Sequence, residues 1–191
     1  MLFDVSHEEL LSSLSEKEIF LVGPGSLGAI PEDSLEGHIL HSVGIPTGAF
    51  QGQHLTESGR FPRVDEKIEL SIYDAPPPGC EAWVVFGYVA QTHLALDPST
   101  GVVHAFSENG GAVQGLHSDL SSLVYLTFRL HTLLKEFVWS EDREDEEEDF
   151  ERLEESLGEI RQTVEDRDPL PFSGTSVWPA ILDDMAVGMW S

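Results

Sequence analysis

From Trp83 to Phe137 the apolar positions fall into three short runs and then change period. Trp83 to Val89, His93 to Leu96 and Val102 to Phe106 read as strands. The link Asp97-Pro98-Ser99-Thr100-Gly101 has turn chemistry, with Pro presetting φ and Gly accepting φ > 0. Asn109-Gly110-Gly111 is a second turn of that kind, and a short run, Ala112 to Leu116, follows it. Leu120, Leu123, Leu126, Leu130, Leu133, Leu134 and Phe137 then recur at helical spacing, behind Ser118 or Asp119 as N-cap. A β-meander feeding an amphipathic helix that covers one sheet face predicts an α+β fold.

The same reading extends outward. Ser6-His7-Glu8-Glu9 is a capping box, and Leu10, Leu11 and Leu14 supply an apolar face, so a short helix is predicted near 7–15. Ile19 to Val22 predicts a short strand. Pro31 suits the first position of a helix carrying Leu35, Ile39 and Val43, with Gly44 in the αL position past its end. Residues 51–60 are polar and read as a loop. Ile68, Leu70 and Ile72 alternate with Glu69 and Ser71, which predicts a half-buried strand within 61–73. Phe150, Leu153, Leu157, Ile160 and Val164 form a stripe that predicts a long helix near 146–165, its early turns open to fraying. Asp168-Pro169-Leu170-Pro171 breaks it. Ser176 caps a last helix whose one apolar face is Trp178, Ile181, Leu182, Met185 and Met189.

Charge changes the picture more than composition does. The formal net charge is −25, from 35 acidic and 10 basic side chains. That excess disfavours nucleic acid, whose phosphates need Lys and Arg, and disfavours anionic membrane surfaces. It favours fast, salt-sensitive capture of a basic partner, although a negative surface also serves solubility alone. Residues 141–155 hold eleven of the acids, among them Glu141, Asp142, Glu144, Asp145, Glu146, Glu147, Glu148 and Asp149. These eight are the candidate partner-binding residues. No run of about 18 apolar residues predicts a membrane span, and the start lacks a basic, then apolar leader. Cys80 is the single cysteine, so no intrachain disulfide forms; this fits a reducing cytoplasm.

Sites for chemistry are poorly supported. Gly23-Pro24-Gly25-Ser26-Leu27-Gly28 has the spacing of a dinucleotide loop, but Pro31 interrupts the helix such a loop needs, and Glu32 and Asp33 sit where phosphate would lie. His38 and His41 share a helix face without a third ligand, so no metal is expected. Cys80 stands beside Glu81, the wrong neighbour for an activated thiol. Asp97 is explained by its turn and Ser118 by a helix cap. No cofactor and no catalytic residue is assigned, and the protein is expected not to be an enzyme. A small His/Asp hydrolase would require a concave pocket with a perturbed His or carboxylate.

"LALDPSTGVVHAF" followed by "GLHSDLSSLVYL" resembles the SUKH superfamily of bacterial immunity proteins, and within it the fourth immunity subgroup. Its members show a strand, a D-x-x-T-G turn, a strand with an aromatic, then N-S-S-L opening a helix. Here these are Asp97, Thr100, Gly101, Phe106 and His117-Ser118-Asp119-Leu120, with His in place of Asn. "SVGIPTGAF" at 42–50 and "DPLPFSGTSVWPAILDDMAVG" at 168–188 resemble the family's earlier and closing segments. The resemblance implies one SUKH-like domain over 1–191, a mainly antiparallel twisted sheet with helices packed on one side, and an acidic helical insertion near 141–168. It implies an immunity protein that binds a cognate toxin domain of the nuclease or nucleic-acid deaminase class and occludes its basic active-site surface. The uncovered sheet face or edge, together with acids in 141–155, would meet the toxin. An intracellular regulatory or scaffold role without a toxin is the alternative the resemblance allows.

Overall fold

The computed structural model describes residues 1–23, 25–140 and 146–189, apart from the side chain of Glu146. Its centre is a five-stranded antiparallel sheet. The strands, numbered along the whole chain, are β3 (Phe50–Gly52), β5 (Val84–Val89), β6 (Thr92–Leu96), β7 (Val103–Ser107) and β9 (Gln114–His117), side by side in that order. Outside it, β1 (Ile19–Phe20) pairs antiparallel with β2 (Ile45–Pro46), and β4 (Tyr73–Asp74) pairs parallel with β8 (Gly111–Ala112). The turn between β6 and β7 forms as its residues dictate. Asp97 accepts hydrogen bonds from Ser99 N, Ser99 Oγ and Thr100 Oγ1, while Gly101 takes φ +79°.

The long helices lie on one side of this sheet. They are α4 (Leu120–Glu136), α5 (Glu146–Glu165) and α6 (Val177–Ala186). Leu120, Leu123, Val124, Leu126 and Leu130 of α4 are buried with Val84, Phe86, Leu94, Leu96 and Val103 of the sheet. α5 begins and ends where its apolar stripe predicts, and Leu153, Leu157, Ile160 and Val164 join the same core. α6 adds Trp178, Ile181, Leu182 and Met185. The N-terminal helices are short: α1 (His7–Ser13), capped by Ser6 Oγ on Glu9 N, and α2 (Leu35–His38), which runs into a wide π-helical turn over Ile39–Val43.

Several local expectations give way. The helix expected from Pro31 starts at Leu35, because Ser34 caps it and the Pro31 carbonyl is engaged by Ser34 N and Oγ. Gly44 has positive φ (+89°) with an extended ψ, not αL, since it must turn the chain straight into β2. The alternation within 61–73 does not make a strand. Asp65 and Glu66 favour a helical first turn, and Glu66 reaches back to Arg63 N, giving the one-turn helix α3 (Val64–Lys67) and a 3-10 turn over Leu70–Ile72.

That last difference matters for the sheet. The 61–83 segment lies across its second face and places Val64, Ile68, Tyr73, Cys80 and Trp83 against Val85, Ala95 and Phe106. The face expected to stand open for a partner is therefore largely closed by a second, smaller core. The expected loop at 51–60 begins instead as the edge strand β3. Phe50 and Phe20 need room there, and Gly87 and Gly52 provide it: a Cβ would stand 2.1 Å from the Phe50 ring and 2.0 Å from the Phe20 ring.

Candidate partner-binding surface

Polar groups in this protein divide into those that hold the helical layer together and those that face water. The first set is built on His117-Ser118-Asp119-Leu120, where β9 passes into α4. Asp119 caps α4, accepting from Ser122 N (3.0 Å) and Ser121 Oγ (2.6 Å), and its other oxygen accepts from Leu2 N (2.9 Å). Asp168, fully buried beyond the end of α5, accepts from Ser118 N (2.9 Å), Ser118 Oγ (2.8 Å) and Leu170 N (3.2 Å). Trp178 Nε1 of α6 donates to His117 Nε2 (2.9 Å). That bond puts the imidazole proton on Nδ1, which faces Ser122 Oγ at 2.9 Å. Burial pushes the His117 pKa down to about 3, so the ring is neutral.

Ser122, His117 and Asp168 have the residue types of a nucleophilic triad but not its arrangement. A triad needs one ring nitrogen on the serine and the other on the carboxylate. Here both the serine and Asp168 (3.8 Å) lie on the Nδ1 side, and Nε2 is closed by Trp178. His117 and Ser122 are wholly buried. The arrangement is a structural knot that joins β9, α4, α5 and α6. Sequence reasoning took Asp168 as a helix breaker and Trp178 as core; the run of polar residues leading into an apolar helix was the available signal that buried partners must exist.

The other chemical candidates are also placed. His38 and His41 are exposed, and His41 Nδ1 meets the Val22 carbonyl at 3.0 Å. Among the described residues no three His, Cys, Asp or Glu gather as metal ligands. Cys80 is buried in the smaller core, where desolvation first, and Glu81 second, push its thiol pKa up. Among its described residues the glycine-containing loop after β1 opens no helix before Leu35, and Gly25 N donates to Glu32 Oε1.

The water-facing set is concentrated on α5. Its inner stripe is locked in the core, and Glu147, Glu148, Glu151, Glu154, Glu155 and Glu159 are exposed. Of the eight residues singled out from sequence, Glu141, Asp142, Glu144 and Asp145 lie outside the described residues, as does the side chain of Glu146. Glu147 and Glu148 are on the exposed face. Asp149 is not: it is 2% exposed and accepts from Ser140 N, Ser140 Oγ and Arg152 Nη1. It therefore closes the start of α5, and it is unavailable to a partner.

Two grooves flank α4. One, of about 490 Å³, runs between α4 and α5 past Arg129, Thr132, Phe137, Arg152 and Glu159. The other, about 320 Å³, lies between α4 and the Thr47–Ala49 segment and is walled by Leu130, Leu134 and Met185. At its rim His131 Nε2 and Lys135 Nζ both meet Glu18, whose pKa falls to about 2, mainly through the Ser15 amide and hydroxyl and then Lys135. Neither groove is lined by His117. No helix among the described residues is long and apolar enough to cross a membrane.

Comparison with known proteins agrees with this architecture. The model of the SUKH-4 immunity protein family matches residues 5–184. No curated protein and no solved structure matches the chain. The match takes in the Asp97–Gly101 turn, the knot around His117, the acidic helix and all of α6 but its last two residues. The chain belongs to the SUKH-4 immunity protein family.

Proposed function

We propose that this protein neutralises a toxin of the nuclease or nucleic-acid deaminase class by covering its basic active-site surface. The observation that carries the reading, beside the family, is the outer face of α5. It displays carboxylates about one helical turn, 5.4 Å, apart on a helix whose inner face is fixed in the core. Toxins acting on polynucleotides need cationic surfaces to hold phosphate. A row of carboxylates held in place offers that surface a substitute without the ordering cost of a flexible acidic tail. Glu147, Glu148, Glu151, Glu154, Glu155 and Glu159 form the described part of this face.

Inhibition in this mechanism is occlusion, with no bond made or broken. The buried, fully bonded His117 and the desolvated Cys80 thiol support a non-catalytic role. The protein acts in the cytoplasm, where such a toxin meets its substrate. The test is reconstitution with the toxin domain encoded beside this gene. A 1:1 complex that abolishes nuclease or deaminase activity is expected; full toxin activity at saturating concentrations of this protein would reject the reading.

A further inference from the structure

Among the described residues, the helical layer ends in an exposed apolar surface. Beyond α4, Val138 is 74% exposed and Trp139 40%; beyond α6, Val187 is 60% and Met189 72%. The two chain segments meet there. Trp139 stacks edge-on against Phe137 (4.9 Å) and Phe150 (5.3 Å), and Gly188 lies against the rings of Phe150 and Trp139. Arg152 sits over Phe137. The Trp139 ring is thus held in a fixed position at the surface, the state in which an aromatic contributes most to an interface. Exposed Glu136, Glu147, Glu148, Glu151, Asp183 and Asp184 belong to the same three helix ends.

An apolar centre among carboxylates selects its occupant by charge. Two copies of this chain would bring like-charged rims together, each on a molecule of net charge −25. An anionic lipid surface is repelled in the same way. A protein surface with an aliphatic or aromatic side chain set among lysines and arginines satisfies both parts.

We propose that Val138, Trp139, Val187 and Met189 form the apolar centre of the toxin contact, with the acids at the start of α5 as its rim. This rests on the immunity reading and divides the labour within it. The acids set the rate of encounter, and the apolar centre sets the lifetime of the complex.

The test is association and dissociation kinetics with the adjacent toxin domain, for the parent, for Val138→Ser with Met189→Ser, and for Glu147→Gln with Glu148→Gln and Glu151→Gln. All five side chains are exposed, so the variants are expected to keep the parent's melting temperature. The serine pair should dissociate about tenfold faster or more with little change in association. The glutamine triple should associate several-fold more slowly at low salt with dissociation nearly unchanged. If the parent binds tightly and the serine pair dissociates at the same rate, the apolar centre is overturned while immunity stands. If the parent does not bind, the immunity reading fails and takes this inference with it. If the parent is a dimer that the serine pair separates, a second copy covers the patch and the assignment is wrong.

Discussion

Asp168 and Glu155 stand thirteen residues apart on one acidic stretch and serve opposite purposes. Asp168 is fully buried, with three donors converging on its carboxylate. Glu155 is exposed, as are Glu147, Glu148, Glu151, Glu154 and Glu159. Asp149 sides with Asp168, buried against Ser140 and Arg152 at the other end of α5. The helix is thus pinned by an interior carboxylate near each end, and the acids between them project outward. Net charge alone does not distinguish the two groups. Burial does: a desolvated carboxylate persists only where donors hold it, and a solvated one is free to meet a cation on another molecule.

This contrast is broken most severely at Asp168. Asp168→Ala leaves Ser118 N, Ser118 Oγ and Leu170 N without their acceptor and should cost about 3 kcal/mol or more of stability, read as a lower urea midpoint. An unchanged midpoint would mean that the knot does not bind the layer together. Trp178→Phe keeps the ring and removes the donor to His117 Nε2, for a loss of about 1–3 kcal/mol; Trp178→Ala should lose more through the cavity. Asp149→Asn should cost about 1 kcal/mol, because the Ser140 contacts survive in part.

Acid should weaken the same knot. The folded pKa of His117 lies near 3, below its ordinary 6.5, so the unfolded chain takes up the proton first. The stability this provides is complete above about pH 6.5 and is lost as pH falls toward 3, with a slope of at most about 1.4 kcal/mol per pH unit. Burial lowers His93 and His104 in the same direction, so His117→Asn should flatten the profile between pH 6 and 4 without abolishing it. An identical slope in parent and variant would show that His117 accepts its proton in the fold. The smallest stability effect belongs to the outer acids. Glu154→Gln with Glu155→Gln and Glu159→Gln should leave the unfolding free energy in urea within about 0.5 kcal/mol of the parent's while slowing association with the toxin.

Much of the layer architecture was legible because the residues carry their own period. The stripe Leu153, Leu157, Ile160, Val164 marked α5, and the Asp97 turn and the caps at Ser6, Asp119 and Ser176 marked their ends. The 61–73 segment misled because its alternation is genuine but tertiary packing overrides it: Ile68 is buried, while Ile72 is 45% exposed. The proposed partner surface was legible only in part. Charge singled out Glu147 and Glu148, but the pattern that turns Asp149 inward lies in its approach to Ser140, across a span with no local signal. The apolar patch was hidden for a related reason. Val138 and Trp139 lie just past the predicted helical stripe, and only the fold brings them beside the segment that carries Val187 and Met189.

The central claim is that encounter with the toxin is driven by the outer acids of α5. Its most direct test is the association rate with the toxin domain encoded beside this gene, followed across ionic strength for the parent and for the Glu154, Glu155 and Glu159 glutamine variant. The account predicts a rate that falls steeply with salt in the parent and is lower and flatter in the variant. Equal rates with equal salt dependence in the two proteins would contradict it.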